Sequence, residues 1–216
     1  MKSFEFTHAS TIEDAIRTAV SSGGKYLAGG TNLIDLMKDG AETPRKLVDL
    51  RRLGLNEILS LPGRGVMIQA RVSNSAIANH PLIRTQYPVV SQAILSGATT
   101  QIRNMATAGG NLLQRTRCPY FAEVAFKSCN KREPGSGCAA LDGFNREHAL
   151  FGTSAQCVAI HPSDMAVALA ILDAIVHVQG PDGTRAVPLR SFFRAPGDQP
   201  DLDNTLLPAE LILGIE

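Results

Sequence analysis

The stretch Ala28-Gly29-Gly30-Thr31-Asn32-Leu33 joins a predicted strand at residues 26–28 to a predicted helix at residues 32–38. Glycines allow the backbone to approach a ligand closely, and the free amides at the start of the helix attract an anion. The motif therefore predicts a phosphate or pyrophosphate site. A tight turn in which Thr31 or Asn32 caps the helix explains the same residues about equally well.

The residues around this first glycine loop predict a lobe of βαβ type. A strand is predicted at residues 4–6, and Ser10 with Glu13 matches a capping box at the start of a helix. Apolar residues recur on one face of this helix, which ends at Gly23-Gly24: Ile12, Ala15, Ile16, Ala19 and Val20. A strand at residues 46–49 completes the unit. We expect residues 1–54 to form the first lobe.

A second glycine loop, Thr107-Ala108-Gly109-Gly110-Asn111, repeats the same chemistry later in the chain. Two such loops, one on each lobe, can converge on a long ligand such as a dinucleotide, which has several polar groups to satisfy. The pair is therefore more informative than either loop alone. Because the chain has 19 glycines, some recurrence is also expected by chance.

The remaining sequence predicts a second sheet with helices beside it. The turn Pro62-Gly63-Arg64-Gly65 separates two strands, at residues 58–61 and 66–69, that form a hairpin. Residues 98–111 are a polar stretch of small residues. Further helices are predicted at 75–78, 89–95 and 162–172, and further strands at 175–179, after a turn at 181–183, and at 210–215. We expect residues 55–216 to form the second lobe.

All four cysteines fall in one polar, glycine-rich stretch, at Cys118, Cys129, Cys138 and Cys157. Their spacing is Cys-x10-Cys-x8-Cys-x18-Cys, which lacks the Cys-x2-Cys pairs of common zinc fingers. Thiols gathered in one loop-like region predict a metal centre. The spacing favours structural zinc and an iron-sulfur cluster about equally, and disulfides are a third possibility.

Other polar residues carry less information. Asp164 follows Ser163 at the start of a predicted helix, where a carboxylate interacts favourably with the helix dipole without any ligand. No two of the five histidines have the spacing of metal ligands, although His148 and His161 lie close enough to the cysteines in sequence to influence a cluster. The stretch Gly135 to Ala140 matches a dinucleotide pattern, but no βαβ unit surrounds it, so we discard it.

The composition excludes several classes of protein. The chain has 216 residues, of which 44% are hydrophobic and 19% charged, and its formal net charge is +1. It therefore has no basic excess for binding nucleic acid or anionic lipid. No apolar run follows Lys2, so we expect no secretory signal, and the run at residues 165–178 contains Asp173 and is too short to span a bilayer.

The two glycine loops and Ser163-Asp164, in this order, resemble the FAD-binding medium subunit of the molybdenum hydroxylases. This family includes xanthine dehydrogenase, carbon monoxide dehydrogenase and aldehyde oxidoreductases. Most members pass directly from the second loop to the Ser-Asp helix, whereas residues 115–160 form an insertion here. The insertion is especially similar to the flavin and [4Fe-4S] subunit of bacterial periplasmic aldehyde oxidoreductase, and more distantly to 4-hydroxybenzoyl-CoA reductase. This resemblance favours iron-sulfur over zinc.

The resemblance implies a two-lobed α+β fold, the PCMH-type FAD-binding domain with a cysteine-bearing insertion. Family members continue into a C-terminal domain that we expect this chain to lack, since it ends at Glu216. The implied ligands of a [4Fe-4S] cluster are the four cysteines. The implied FAD-binding residues are Tyr26, Leu27, Ala28, Gly29, Gly30, Thr31, Asn32, Leu33, Ala98, Ile102, Thr107, Ala108, Gly109, Asn111, Ser163, Asp164, Leu211 and Ile212.

The function implied by the resemblance is electron transfer in a molybdenum-dependent aldehyde oxidoreductase. The expected partners form a heterotrimer with this chain: a large subunit with the molybdenum cofactor, which oxidises the substrate, and a small subunit with [2Fe-2S] clusters. FAD here would pass the electrons to an external acceptor. We expect the complex in the cytoplasm, or in the periplasm if a partner carries the export signal. The alternatives are a zinc-stapled binding module without redox activity and a free-standing flavoprotein oxidoreductase.

Overall fold

The computed structural model describes residues 1–216 and contains two separate sheets. The first is parallel, with strand order β1-β3-β2, so the last strand in sequence lies in the middle. Its elements are β1 (Glu5–His8), α1 (Ile12–Ser22), β2 (Lys25–Leu27), α2 (Leu33–Asp39) and β3 (Lys46–Asp49). The three strands end side by side, because His8 and Leu27 both pair with Asp49.

Helix α1 begins one residue later than the sequence predicted. Thr11, not Ser10, is the N-cap, and its Oγ1 accepts a hydrogen bond from the Asp14 amide at 3.0 Å. The carboxylate that returns to the chain belongs to Asp14, not Glu13, and it accepts from the Ser10 amide at 3.1 Å. The predicted capping box was therefore wrong, because Thr11 and Asp14 make these bonds in place of Ser10 and Glu13, which have the same spacing. Gly23 ends the helix with φ 61°, as the sequence predicted.

The second sheet is antiparallel, with strand order β4-β5-β8-β6-β7. Its strands are β4 (Ile58–Leu61), β5 (Gly65–Gln69), β6 (Ile175–Gly180), β7 (Gly183–Pro188) and β8 (Leu211–Ile215). The predicted hairpin is confirmed, since β4 pairs with β5. Strand β8 lies at the centre, between β5 and β6, although it is last in sequence.

Short helices alternate with loops in the chain between β5 and β6, and several of them pack on the second sheet. They are α3 (Asn74–Asn79), α4 (Pro81–Gln86), α5 (Pro88–Ser96), α6 (Thr100–Met105), α7 (Ala108–Leu112), α8 (Pro119–Ala122), α9 (Ala139–Asp142) and α10 (Asp164–Ile171), and α11 (Leu189–Phe192) follows β7. The main core of 23 buried residues joins α3, α5 and α10 to this sheet. Two sheets with helices packed beside them confirm the α+β class.

The polar stretch at residues 98–111 contains two helices that the sequence did not predict. Each begins at a threonine whose hydroxyl caps the first turn: Thr99 accepts from the Ile102 amide, and Thr107 from the Gly110 amide. Both helices are too short to show apolar periodicity, which is why the pattern missed them. By contrast, little regular structure was expected among the cysteines, and only α8 and α9 lie there. None of the helices is long and apolar enough to cross a bilayer.

Candidate functional site: a cleft between the two sheets

The first glycine loop touches the second half of the molecule at Gly29. A Cβ atom at this position would lie 1.8 Å from the Met105 carbonyl oxygen at the end of α6, so only glycine fits. Gly30 has φ 74°, a conformation that other residues rarely adopt. The two glycines therefore have different roles, since Gly29 allows close approach and Gly30 allows the turn.

The second glycine loop lies against β5 and β8 at the opposite wall. The Gly109 amide donates to the Ala70 carbonyl at 2.9 Å, and a Cβ on Gly109 would lie 3.2 Å from that of Ala70. Thr107 caps α7 with its hydroxyl. The two loops thus enclose a cleft of about 450 Å³ between the two sheets.

Twelve residues predicted to bind FAD line this cleft: Tyr26, Leu27, Ala28, Gly29, Gly30, Thr31, Asn32, Leu33, Thr107, Gly109, Leu211 and Ile212. The first eight belong to the first loop and its flanks, and the last two to the beginning of β8. Tyr26 donates its hydroxyl to the Ala209 carbonyl at 2.7 Å, and burial raises its pKa to about 12. The structure therefore brings both glycine loops and strand β8 together around one cleft.

The other six residues lie outside the cleft lining. Ala108 is fully buried beneath the second loop. Asn111 and Ser163 are joined through their side chains by a hydrogen bond, and Ser163 also caps α10. The remaining residues, Ala98, Ile102 and Asp164, are exposed, and Ala98 has φ 53°. A Cβ on neighbouring Gly97 would lie 2.9 Å from the Asp164 carboxylate, so this carboxylate covers the turn before α6.

Asn32 offers the cleft an unused donor. Its Oδ1 accepts a hydrogen bond from the Arg115 amide at 2.9 Å, while its Nδ2 is buried without a partner. A buried amide nitrogen without a partner is unfavourable unless a ligand accepts from it. Because Asn32 also lines the cleft, this atom fits a ligand that is rich in acceptors.

A buried ionic network, which the sequence did not predict, forms one side of the cleft. The Arg115 guanidinium donates to Glu42 at 2.6 Å and to Asp203 at 2.8 Å, and it lies 4.6 Å above the Phe121 ring. Burial disfavours the charge of Arg115, but the two carboxylates outweigh it and raise its pKa. Lys131 adds a second cation, 2.5 Å from Asp203. The network connects the first sheet, the cysteine segment and the loop at residues 200–203.

The four cysteines lie in one segment and all have free thiols. Cys129 and Cys138 face each other across an isolated antiparallel bridge, and Cys129 and Cys157 are buried. No group of three or more His, Cys, Asp or Glu side chains is close enough to hold a metal ion. Disulfides, the third possibility, are not formed in this structure, and the thiols are near one another without forming a complete ligand set.

The surroundings of two of these thiols are partly suited to a cluster. Burial is the largest influence and raises the pKa of Cys118 and of Cys157 above its usual value, although backbone amides at both thiols and the Lys131 ammonium at Cys157 oppose it. His148 Nε2 lies 3.2 Å from Cys118 Sγ, and the Ala159 amide donates to Cys157 Sγ at 3.4 Å. His161 instead contacts the Leu112 carbonyl of α7, at 3.1 Å. Hydrogen-bond donors beside a sulfur, such as the Ala159 amide at Cys157, stabilise the thiolate, which is the form that binds metals.

Comparison with known protein families agrees with the cleft. The family model of the FAD-binding domain in molybdopterin dehydrogenase matches residues 2–216. The chain belongs to this family. The resemblance to the molybdenum hydroxylases and the predicted assignment to the oxidoreductases are thereby confirmed.

Several relatives extend the comparison. The aldehyde oxidoreductase FAD-binding subunit PaoB of Escherichia coli K12 is 49% identical over the whole chain, which covers 68% of PaoB. The carbon monoxide dehydrogenase medium chain of Afipia carboxidovorans is 34% identical over 50% of the chain and 38% of its own length. A solved structure of reconstituted CO dehydrogenase from Oligotropha carboxidovorans matches with TM-score 0.71 and 25% identity, over 99% of this chain and 58% of that one.

These likenesses confirm the expected fold of the FAD-binding domain. The chain spans about two thirds of PaoB and less of the other two relatives. Sequence reasoning did not identify Arg115, Glu42, Lys131 and Asp203, which lie far apart in the chain. The available signal was proximity in sequence, since Arg115 lies three residues before Cys118 and Lys131 two residues after Cys129.

Proposed function

We propose that this chain is the FAD-binding, electron-transferring subunit of a molybdenum-dependent aldehyde oxidoreductase. The observation that carries the proposal is the cleft between the two glycine loops, which has the size and the donors for a dinucleotide. The 49% identity to an aldehyde oxidoreductase subunit supports the aldehyde as the substrate class. Oxidation of the substrate then takes place on a partner.

The cleft residues fit FAD at both ends of the ligand. In the first loop, Gly29 and Gly30 line the cleft and their amides donate to no protein acceptor, and Asn32 Nδ2 is a buried donor in need of an acceptor. These groups would hold the pyrophosphate, and the second loop would lie along the ribityl chain and the flavin. Leu211 and Ile212 add an apolar wall for the ring. Bound FAD supplies the electron-accepting and electron-donating chemistry of the subunit.

The residues outside the cleft lining have proposed roles at its margin. Asp164 covers the turn at Gly97, and Ala98 and Ile102 follow this turn on an exposed surface. We place them beside the edge of the flavin. Asn111, Ser163 and Ala108 then act by holding the second loop against α10, as their hydrogen bond and burial suggest.

For the cysteine segment we propose a [4Fe-4S] cluster ligated by Cys118, Cys129, Cys138 and Cys157. The support is chemical: four thiols occur in one segment, two of them buried, with amide donors, His148 and Lys131 beside them. Thiolate ligands are the usual ones for such clusters. Closing the thiols around a cluster requires a local movement, because the structure does not gather a ligand set.

The proposed partners follow from the family. A large subunit with the molybdenum cofactor would oxidise the aldehyde, and a small subunit with [2Fe-2S] clusters would carry electrons to FAD in a heterotrimer. An external acceptor then takes the electrons from this subunit. The compartment follows that of the partners: cytoplasm if none is exported, and periplasm if one of them carries the signal.

Anaerobic purification with iron, zinc and flavin analysis tests the proposal. We expect one FAD and four iron atoms per chain, with a visible spectrum of both centres. Zinc without flavin would refute the proposal in favour of the zinc-stapled module. Flavin without iron would favour a simple flavoprotein oxidoreductase.

Two variants separate the two centres. Cys138→Ser should lose or damage the cluster and keep most of the flavin, because Cys138 lies outside the cleft lining. Gly30→Val should lose flavin and keep iron, because its φ of 74° is strained for valine. Each variant is the control for the other. Retention of four iron atoms in Cys138→Ser would remove Cys138 from the ligand set.

A further inference from the structure

We propose that Arg71 binds the pyrophosphate of the dinucleotide in the cleft, between the two glycine loops. The proposal rests on the proposed function, since it specifies a contact made by FAD. Neither the glycine loops nor any sequence motif indicated this residue. The structure assigns it through its position and through the charges that surround it.

The backbone at Arg71 lies beside the second glycine loop. The carbonyls of its two neighbours accept hydrogen bonds from that loop: Ala70 from the Gly109 amide and Val72 from the Ala108 amide, both at 2.9 Å. Arg71 itself lines the cleft. Its main chain is therefore fixed against one of the two loops by regular hydrogen bonds.

The side chain of Arg71 crosses to the first sheet. Its Nη1 donates to the Leu53 carbonyl, in the turn that follows β3. All three parallel strands end here, since His8, Leu27 and Asp49 pair side by side, and the first glycine loop begins directly after Leu27. Ligands of open parallel sheets bind beyond the carboxyl ends of the strands. The guanidinium is thus bound at the end of the first sheet, and it lines the same cleft as the first loop.

Arg71 is also the cation in the cleft that has no acidic partner. Three basic residues line the cleft, and two of them are paired, Lys25 with Glu42 at 2.5 Å and Arg115 with both Glu42 and Asp203. No carboxylate forms an ion pair with Arg71.

The nearby carboxylates do not compensate this charge. Asp49 is already occupied by His8 at 2.6 Å and by the amide and guanidinium of Arg51. It acts on Arg71 only through its field, which raises the pKa of Arg71 against the larger lowering by burial. Glu210 is paired with Arg185, and Asp201 forms no ion pair with Arg71. A half-buried arginine without a counter-ion between two anion-binding loops is suited to a phosphate group.

Binding measurements on the full chain, stripped of flavin, test the proposal. Arg71→Gln should bind FAD about 10- to 100-fold more weakly, the loss expected for one charged hydrogen bond. Its FAD affinity should also fall less than that of the wild type when salt is raised, because a screened charge has been removed. Riboflavin, which has no phosphate, should bind both proteins equally. Arg71→Lys keeps the charge and should lie between the two.

Arg84→Gln is the matched control, since Arg84 is exposed on α4, outside the cleft, and its loss changes the net charge equally. It should bind FAD as the wild type does. Equal FAD affinity in Arg71→Gln and the wild type overturns the proposal, as does an equal loss for FAD and riboflavin, which would indicate that Arg71 only shapes the cleft. Failure of the wild type itself to bind FAD overturns the proposed function instead. Thermal unfolding of each variant identifies a folding defect, in which case Arg71→Lys provides the comparison.

Discussion

The two regions proposed to hold cofactors are built in different ways. The cleft is formed by backbone: glycines that allow close approach, threonine caps and the ends of paired strands. The cysteine segment has only two short helices, and side chains such as Arg115 and Lys131 tie it to the rest of the molecule. A cleft formed by backbone is fixed by the fold itself, whereas a segment attached through side chains depends on a few ionic contacts for its position. The two regions should therefore respond differently to substitution.

The largest effect of a substitution is expected at Gly29, where the backbone of the first loop lies against the Met105 carbonyl. In Gly29→Ala the new methyl group would meet the Met105 carbonyl at 1.8 Å, and neither backbone segment can move without disturbing the cleft. We expect destabilisation by more than about 3 kcal/mol and loss of FAD. Chemical unfolding and flavin content measure the two effects.

Gly54→Ala is the control for this prediction. No atom lies within 4 Å of a Cβ built at Gly54, so the added methyl group meets nothing. The free energy of unfolding should change by less than about 0.5 kcal/mol. A normal flavin content in Gly29→Ala would show that the first loop tolerates displacement and that the backbone does not define the cleft.

A smaller effect is expected at Arg115, which connects the two regions. In Arg115→Met the carboxylates of Glu42 and Asp203 lose their shared partner, which should cost about 3 kcal/mol. The cysteine thiols should also become more reactive, because the segment that carries them is tied to the first sheet through this residue. Thiol labelling of the flavin-free chain and chemical unfolding measure the two results.

Arg117→Met provides the comparison, because Arg117 is exposed and contacts only Gln114. It should leave both stability and thiol reactivity unchanged. If Arg115→Met lowered stability but left the thiols as protected as before, the cysteine segment would be ordered independently of the cleft, and the two regions would be separate units.

The same contrast explains what the sequence could predict. The glycine loops and the hairpin at Gly63 were predictable because their signals are local: a turn residue, a cap, a change of periodicity. The ionic network was not, since Arg115 contacts Glu42 and Asp203 from 73 and 88 residues away. Neither hydrophobic periodicity nor residue spacing predicts ion pairs between residues so far apart in sequence. Thr99 and Thr107 are residue types that commonly cap helices, but the helices after them are too short to show the periodicity that a prediction requires.

The cap of α1 shows the limit of local signals as well. Two overlapping pairs, Ser10 with Glu13 and Thr11 with Asp14, satisfy the same pattern, and the sequence alone does not choose between them. Packing decides, because the face of α1 that meets the first sheet fixes where the helix begins: Ala15 and Ile16 are buried in the cluster that contains Val48. A local signal thus predicts that an element exists, and tertiary contacts set its first residue.

The smallest effect is expected from acid, and it concerns Glu42 at the meeting point of the two regions. Burial raises the pKa of Glu42, but Lys25 and Arg115 outweigh it, so the pKa lies below its usual value. A carboxyl group with a lowered pKa in the folded state contributes stability that is present above the unfolded value of about 4.3 and is lost as the pH falls through the folded pKa. Glu42→Gln should therefore lower the free energy of unfolding at pH 7 by about 1 to 2 kcal/mol. Below about pH 4 the difference between this variant and the wild type should be smaller. Unfolding curves from pH 7 to pH 3 measure this, with the exposed, i,i+3-paired Asp35→Asn as control. A constant difference between Glu42→Gln and wild type at every pH would show that shape, and not charge, makes Glu42 important to the contact between the two regions.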